Sequence, residues 1–506
     1  MEERVEERNE IKIGMVLSYA LLFVNTLYGL LITPYILRYV GNVDYGVYKS
    51  IASLTSTLAV MDLGLGATMT RYMARFRATK DAKGASNFAA MVLIQYMVLA
   101  ALLLCFGVII YQLVPILYDE AFSPDEIVLA RRLFVFLILN MALRLLENLL
   151  MGVANGYERF KITNGLMLLS VILKFSLILV LLPMTKNVML MVVLESILAA
   201  VLIVIFWFYI KTSIGITPKL AKWDKAIFKE SMGYTMLMFI QTITIQFNGN
   251  VDNLLIGALL GPVSVTVYSM ALVIFGMYGN LSASVANVML PNMTKRVLIG
   301  QSPEELQAAI ERAGRLQFML LSMALGGFVV LGRDFYSLWL GEGFADCYGL
   351  TLILMIPITF TMVQNVCLSV LRAENRMLYR TITLLISCVL NVIVTVIGLR
   401  IWGYWGAAIG TSCATVANLI FMNVYYHKRL RFHIAQMFGN IFKRILLCAA
   451  AATCVTYIVH KMLYTSWLAF VFNIIVYIGV YGVLLLAWGM DEKEKSIVLE
   501  RLARRK

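Results

Sequence analysis

Fourteen apolar runs, each at least 19 residues long, follow one another along this 506-residue chain. They lie near 13–37, 44–66, 87–117, 129–153, 162–182, 187–210, 232–259, 263–290, 314–332, 347–370, 381–400, 404–426, 441–460 and 466–489. A helix needs roughly 20 residues to cross the hydrocarbon core of a bilayer. The pattern therefore predicts an all-α polytopic membrane protein with about fourteen transmembrane helices and short connections. Composition points the same way: the chain is 61% hydrophobic and 14% charged, where a soluble domain is about 45–50% apolar and about 25% charged. A soluble globular enzyme, a disordered chain and a disulfide-stapled secreted domain are all excluded. The charged stretch Met1–Arg8 precedes a long apolar run without a short hydrophobic core and cleavage site, so the first run is expected to be a retained span rather than a cleaved signal.

An even number of spans puts both termini on one side of the membrane. Of the 43 Lys and Arg residues, 33 fall on the side of the termini, 7 on the other and three (Lys49, Arg144 and Lys174) inside spans. Cytoplasmic loops collect Lys and Arg, so both termini are expected in the cytoplasm, and the net charge of +14 reflects topology rather than nucleic-acid binding. The seven cysteines form no CxxC pair and read as small hydrophobes. His427, His433 and His460 share no metal-ligand spacing. No P-loop, GxSxG or HExxH motif occurs, which leaves ATP hydrolysis and the common hydrolase chemistries without support.

The spans repeat. Gly41, Val43, Val47 and Tyr48, between spans 1 and 2, match Gly261, Val263, Val267 and Tyr268, between spans 7 and 8, at a constant offset of 220. Arg159, before span 5, matches Arg376, before span 11, at an offset of 217. Two six-span lobes in the same orientation follow, at 1–210 and 231–430. A cytoplasmic amphipathic linker joins them at 211–230, and two extra spans with a basic cytoplasmic tail occupy 431–506. Parallel repeats of this kind build alternating-access transporters. Within the linker, Lys219, Lys222, Lys225 and Lys229 with Trp223 and Phe228 interleaved read as a basic helix on anionic headgroups. Ser302-Pro303-Glu304-Glu305 reads as a helix start.

Several motifs in order carry a resemblance. Asn25 to Pro34, Gly41-x3-Tyr45-Gly46-x-Tyr48, Asp62-Leu63-Gly64-Leu65-Gly66 and Arg71-Tyr72 come first. Asn155-Gly156-Tyr157-Glu158-Arg159-Phe160, Asp252-Asn253-Leu254-Leu255-Ile256-Gly257, Tyr268-Ser269 and Trp339-Leu340-Gly341 follow. Over about residues 10–430 the chain resembles the polysaccharide-exporting flippases, the Wzx-type O-antigen and capsule flippases. These belong to the superfamily that also holds MATE drug exporters and lipid II flippases. The resemblance implies a transporter of the bacterial inner membrane rather than an enzyme. Its implied cargo is an undecaprenyl-diphosphate-linked oligosaccharide, moved from the cytoplasmic to the periplasmic leaflet. Membrane lipids and other polysaccharide assembly proteins are the implied partners.

Charges inside a bilayer are costly, at least ~2.5 kcal/mol at mid-helix, so the intramembrane polar residues are the candidate site. Asn140, Arg144, Glu147 and Asn148 form one stripe on span 4 at helical spacing. Gln241, Asn248 and Asp252 do so on span 7, Asn280, Ser284 and Asn287 on span 8, and Thr411, Thr415 and Asn418 on span 12. Lys49, Arg144 and Lys174, with Asn140 and Asn148, are read as a cationic cavity for a diphosphate, since Arg binds phosphate bidentately and Lys acts as a point charge. The competing readings are mutual neutralisation of Arg144 by Glu147, snorkelling of Lys49, and a structural pair of Lys174 with Glu195. No cofactor is expected; a coupling ion, Na⁺ or H⁺, is. Asp252 is its candidate site, with Asn391 and Thr415 as companion ligands by helix position. Lipid II flippases place an Asp of the seventh span within a sodium site, so the resemblance implies the same for Asp252. A MATE-like cation-coupled drug exporter is the alternative function. A membrane glycosyltransferase or polymerase is a further one, disfavoured by short outer loops whose acidic pairs, Asp119-Glu120 and Asp125-Glu126, read as solvated loop.

Overall fold

The computed structural model describes residues 2–58, 64–374, 376–463, 465–492 and 494–496, with side chains omitted at 2–9, 11–12, 233–238, 240–245, 247–248, 283–288 and 290–291. Asp62 and Leu63 of the motifs, and the side chains of Gln241, Asn248, Ser284 and Asn287, lie outside the described residues. Among the described residues sixteen α-helices follow in order: α1 (Glu2–Val40), α2 (Asn42–Leu58), α3 (Leu65–Ala78), α4 (Ala82–Tyr118), α5 (Pro124–Gly156), α6 (Phe160–Thr185), α7 (Met189–Tyr209), α8 (Lys225–Leu260), α9 (Pro262–Leu298), α10 (Pro303–Leu340), α11 (Asp346–Val363), α12 (Cys367–Ala373), α13 (Met377–Trp402), α14 (Trp405–Leu430), α15 (Ile434–His460) and α16 (Trp467–Leu484). No strand occurs among the described residues. Among the described residues, twelve helical segments are long and apolar enough to cross a membrane. The chain is an all-helical, multi-pass membrane protein. Among the described residues, the fourteen apolar runs fall mainly on helix. The second falls on α2 and α3, and the tenth is broken between α11 and α12.

Helix ends follow local chemistry. Ser123 and Ser302 cap α5 and α10, each completing a capping box with the Glu three residues on and a Pro at the first position. Asp125 and Glu126 are therefore not solvated loop but the first turn of α5, where carboxylates favour the helix dipole. The repeat also has a backbone signature. Gly41 and Gly261 both sit at positive φ, +88° and +83°, in one-residue turns between consecutive helices, a conformation that glycine adopts without steric cost. Arg159 and Arg376 both stand at the residue before their helix, α6 and α13.

Two contact units divide the chain, Met1–Thr266 and Val267–Lys506. In the first, α1 packs on α6, α5 packs on α3, α4 and α7, and α8 packs on α2. Asn164 of α6 donates to the Gly14 carbonyl (3.0 Å) and to Ser18 Oγ (2.8 Å) of α1. Gly156 lets α5 touch α3, since a Cβ there would strike Met73 Cβ and the Thr70 carbonyl. The linker differs from the expected basic helix. Residues 216–224 carry no helix, and α8 starts only at Lys225, with Asp224 accepting from the Ala226 and Ile227 N–H groups. Gly215, at φ +77°, ends the preceding helical segment. Pro218 then supplies no N–H. The Asn87 side chain takes the place of helical partners: its Oδ1 accepts from Ala221 N and Lys222 N, and its Nδ2 donates to the Lys222 carbonyl.

In the second unit α13 lies along α14, α10 packs on α11, α15 and α16, and α11 packs on α14. Arg315, near the start of α10, donates to Glu494 through Nε and Nη2 (both 2.9 Å), to the Asn440 carbonyl through Nη1 (3.0 Å) and to the Gly489 carbonyl through Nη2 (2.8 Å). This clasp ties α10 to the last two spans and to the segment after them. The sequence offered no sign of it, because Arg315 and Glu494 are 179 residues apart.

Candidate functional site

A cavity of about 420 Å³ opens between α1, α5, α6 and α7. Each helix contributes side chains at helical spacing: Leu21, Asn25 and Tyr28 from α1; Arg144, Glu147, Asn148 and Met151 from α5; Met167, Ser170, Val171 and Lys174 from α6; Glu195, Leu198, Ala199 and Leu202 from α7. Positions i, i+3 or i+4, and i+7 share a face, so four apolar helices become amphipathic only along the stripe they turn to this space.

Glu195 is the hub. One carboxylate oxygen accepts from Arg144 Nη2, and the other lies 2.9 Å from Lys174 Nζ. The Lys174 ammonium also stands 5.8 Å from the centre of the Tyr28 ring, a distance at which the ring face attracts a cation. The pairing of Lys174 with Glu195 is as the sequence allowed. Arg144, however, uses Glu195 as its hydrogen-bonding partner rather than Glu147, which is buried on the same wall. The Arg144 side chain remains 58% exposed, against 20% for Lys174 and Glu195. Its guanidinium therefore faces the cavity with donors to spare.

The structure brings Arg144, Lys174 and Asn148 together in this wall. Asn140 does not line it. It is buried one turn earlier on α5, its Oδ1 without a hydrogen-bond partner. Lys49 does not line it either, and stands over the rings of Tyr45 (5.4 Å) and Tyr48 (5.8 Å) on its own helix. Sequence reasoning missed Asn25, Tyr28 and Ser170 as lining residues. Glu195 it knew only as a partner; a single carboxylate in a 24-residue apolar run was the signal that marked it.

The residues expected to couple an ion fall in different units. Asp252 of α8 is 4% exposed in the first. In the second, Asn391 of α13 is 1% exposed. Its Oδ1 accepts from Thr395 Oγ1 (3.0 Å) and, at 3.4 Å, from Thr411 Oγ1 of α14. The Thr415 hydroxyl donates to the Thr411 carbonyl one turn back. Among the described residues, no group of three or more His, Cys, Asp or Glu is placed to hold a metal ion.

The fold is that of known transporters. The lipid II flippase MurJ in an inward closed conformation matches with a TM-score of 0.74 at 15% identity, over 93% of this chain and 98% of that one. An inward-facing multidrug resistance MATE transporter of the MOP superfamily matches with a TM-score of 0.59 at 16% identity, over 78% and 94%. The eukaryotic MATE transporter AtDTX14 gives 0.57 at 13% identity, over 87% and 99%. These neighbours are a flippase and transporters rather than enzymes. No curated protein matches the sequence. The family model described as "Polysaccharide biosynthesis protein" matches residues 14–297, more than half of the chain, and the chain accordingly belongs to the polysaccharide biosynthesis protein family, on the fold of the MOP superfamily.

Proposed function

We propose that the protein flips an undecaprenyl-diphosphate-linked oligosaccharide, a precursor of O-antigen, capsule or a related surface polysaccharide, from the cytoplasmic to the periplasmic leaflet of the bacterial inner membrane. Both termini lie in the cytoplasm in this reading, as the 33-to-7 distribution of Lys and Arg requires. The observation that carries the proposal is the polar wall made by Arg144, Lys174, Glu195, Asn148 and Asn25 inside otherwise apolar helices. A bundle that only anchors would not sustain buried charge of this kind. The family supplies polysaccharide assembly as the setting. Arg and Lys on one wall suit a phosphoryl group, and the cavity offers room for polar headgroup atoms while the prenyl chain stays in lipid.

Transport proceeds by alternating access, driven by a Na⁺ or proton gradient. Asp252 is the proposed coupling carboxylate. The test is transport in proteoliposomes loaded with an undecaprenyl-diphosphate oligosaccharide, with and without an imposed gradient. Gradient-stimulated appearance of the glycan in the opposite leaflet is the expected result. Gradient-driven efflux of a cationic dye without glycan flipping would move the protein to the drug-exporter reading.

A further inference from the structure

The lining of the cavity contains two bases and two acids: Arg144 and Lys174 against Glu147 and Glu195. With all four ionised, the set carries no net charge. A neutral site exerts no long-range pull on an anion, and its two cations are already engaged. The geometry of that engagement is specific. Glu195 places one oxygen on each cation, Oε1 on Arg144 and Oε2 on Lys174. A single anionic group bridging a guanidinium and an ammonium is also how a phosphoryl group would sit there. The wall around Glu195 holds Tyr28 of α1, Arg144 and Glu147 of α5 and Lys174 of α6. Among these, the cations that Glu195 holds are the same two that a ligand needs.

We propose that Glu195 is a placeholder anion that sets the specificity of this site: its carboxylate competes with a ligand for the bridging position between Arg144 and Lys174. A monoanion offers no advantage over the carboxylate it would replace there. A diphosphate does, because it brings more charge and more acceptor oxygens to the same two donors. Glu195 thereby makes the cavity select polyanionic headgroups over single carboxylates. The inference rests on the anion-site reading of the proposed function.

The test is binding to the full chain in nanodiscs, using geranylgeranyl diphosphate and geranylgeranoate, which share a prenyl chain and differ in headgroup charge. The wild type is expected to bind the diphosphate at least tenfold more tightly than the carboxylate. In Glu195→Gln the carboxylate should gain at least tenfold in affinity and the ratio should shrink, while Glu195→Asp should restore the discrimination. An unchanged ratio in Glu195→Gln, or weaker binding of both probes, overturns the placeholder role while leaving the anion site standing. Binding of neither probe by the wild type and all variants overturns the anion site and this inference together. A second readout needs no change at Glu195: in Glu147→Gln, where Glu195 is the cavity's remaining acid, the carboxylate infrared band should move when diphosphate binds. A band that stays in place contradicts displacement.

Discussion

Arg144 and Arg315 invite comparison, because each is an arginine within an apolar helix and each is bonded to a glutamate. Arg315 is sealed. Its side chain is 8% exposed, and it spends four hydrogen bonds on Glu494 and two backbone carbonyls. Arg144 is 58% exposed to a cavity and gives one bond to one glutamate. Taking charge out of bulk water is costly in both places. In the first case the cost is offset by engaging all three nitrogens of the guanidinium, which ties α10 to the last two spans and the chain beyond them. In the second, part of the hydrogen-bonding capacity stays open to the cavity. An arginine in such a helix is thus structural or functional according to how many of its donors are already spent.

The comparison can be broken most decisively on the sealed side. Arg315→Ala strands the Glu494 carboxylate, and breaking a buried pair costs about 3–5 kcal/mol. Thermal unfolding of the purified protein should register this as the largest destabilisation of any variant named here. Arg144→Ala should leave the melting temperature close to the wild type. Equal losses in both would erase the distinction. On the open side, charge-assisted hydrogen bonds are worth about 1.5–3 kcal/mol, so Arg144→Ala and Lys174→Ala should each lower the flipping rate by about tenfold or more, while Arg315 variants that still fold should transport.

The clasp also predicts a pH dependence. Burial pushes the Glu494 carboxyl up, but its hydrogen bond from Arg315 and that from the Asp491 N–H outweigh this and hold it below the ordinary carboxylate range. A group with a depressed folded pKa contributes its full stability above its unfolded value of about 4.3, and loses it as pH falls through the folded value. Melting temperature should therefore drop on acidification, and Glu494→Gln should flatten that slope. The smallest effect sets a floor for the others. Ser123→Ala and Ser302→Ala each remove one capping bond and should cost about 1 kcal/mol in either unit, well below Arg315→Ala.

Much of the helical framework was legible because the bilayer imposes it. Length and hydropathy located the twelve segments that, among the described residues, are long and apolar enough to cross a membrane, and the glycine turns at Gly41 and Gly261 showed in a short sequence match. Positions along a helix were legible in part: Arg144, Glu147 and Asn148 line one wall, as their spacing required, while Asn140 does not. What a side chain meets across the bundle was not. Periodicity gives a face but no partner: it offers Glu147 on the same helix as the competing partner of Arg144, whereas the bond goes to Glu195, 51 residues away. Lys49 looked like a cavity residue for the same reason, and its own helix supplies the two rings it lies over. The linker failed differently. Four lysines at helical spacing resemble a helix, but Gly215, Pro218 and the reach of Asn87 decide the backbone there.

The central claim is that the cavity between α1, α5, α6 and α7 receives the anionic headgroup. Its most direct test is photo-crosslinking of the protein in nanodiscs with a polyprenyl diphosphate that carries a diazirine beside the phosphates. Adducts should concentrate on the lining residues Asn148, Met151, Met167 and Ser170, compete away with unlabelled diphosphate, and disappear in the Arg144→Ala/Lys174→Ala double variant. Competable adducts that map elsewhere and survive in the double variant would contradict the account.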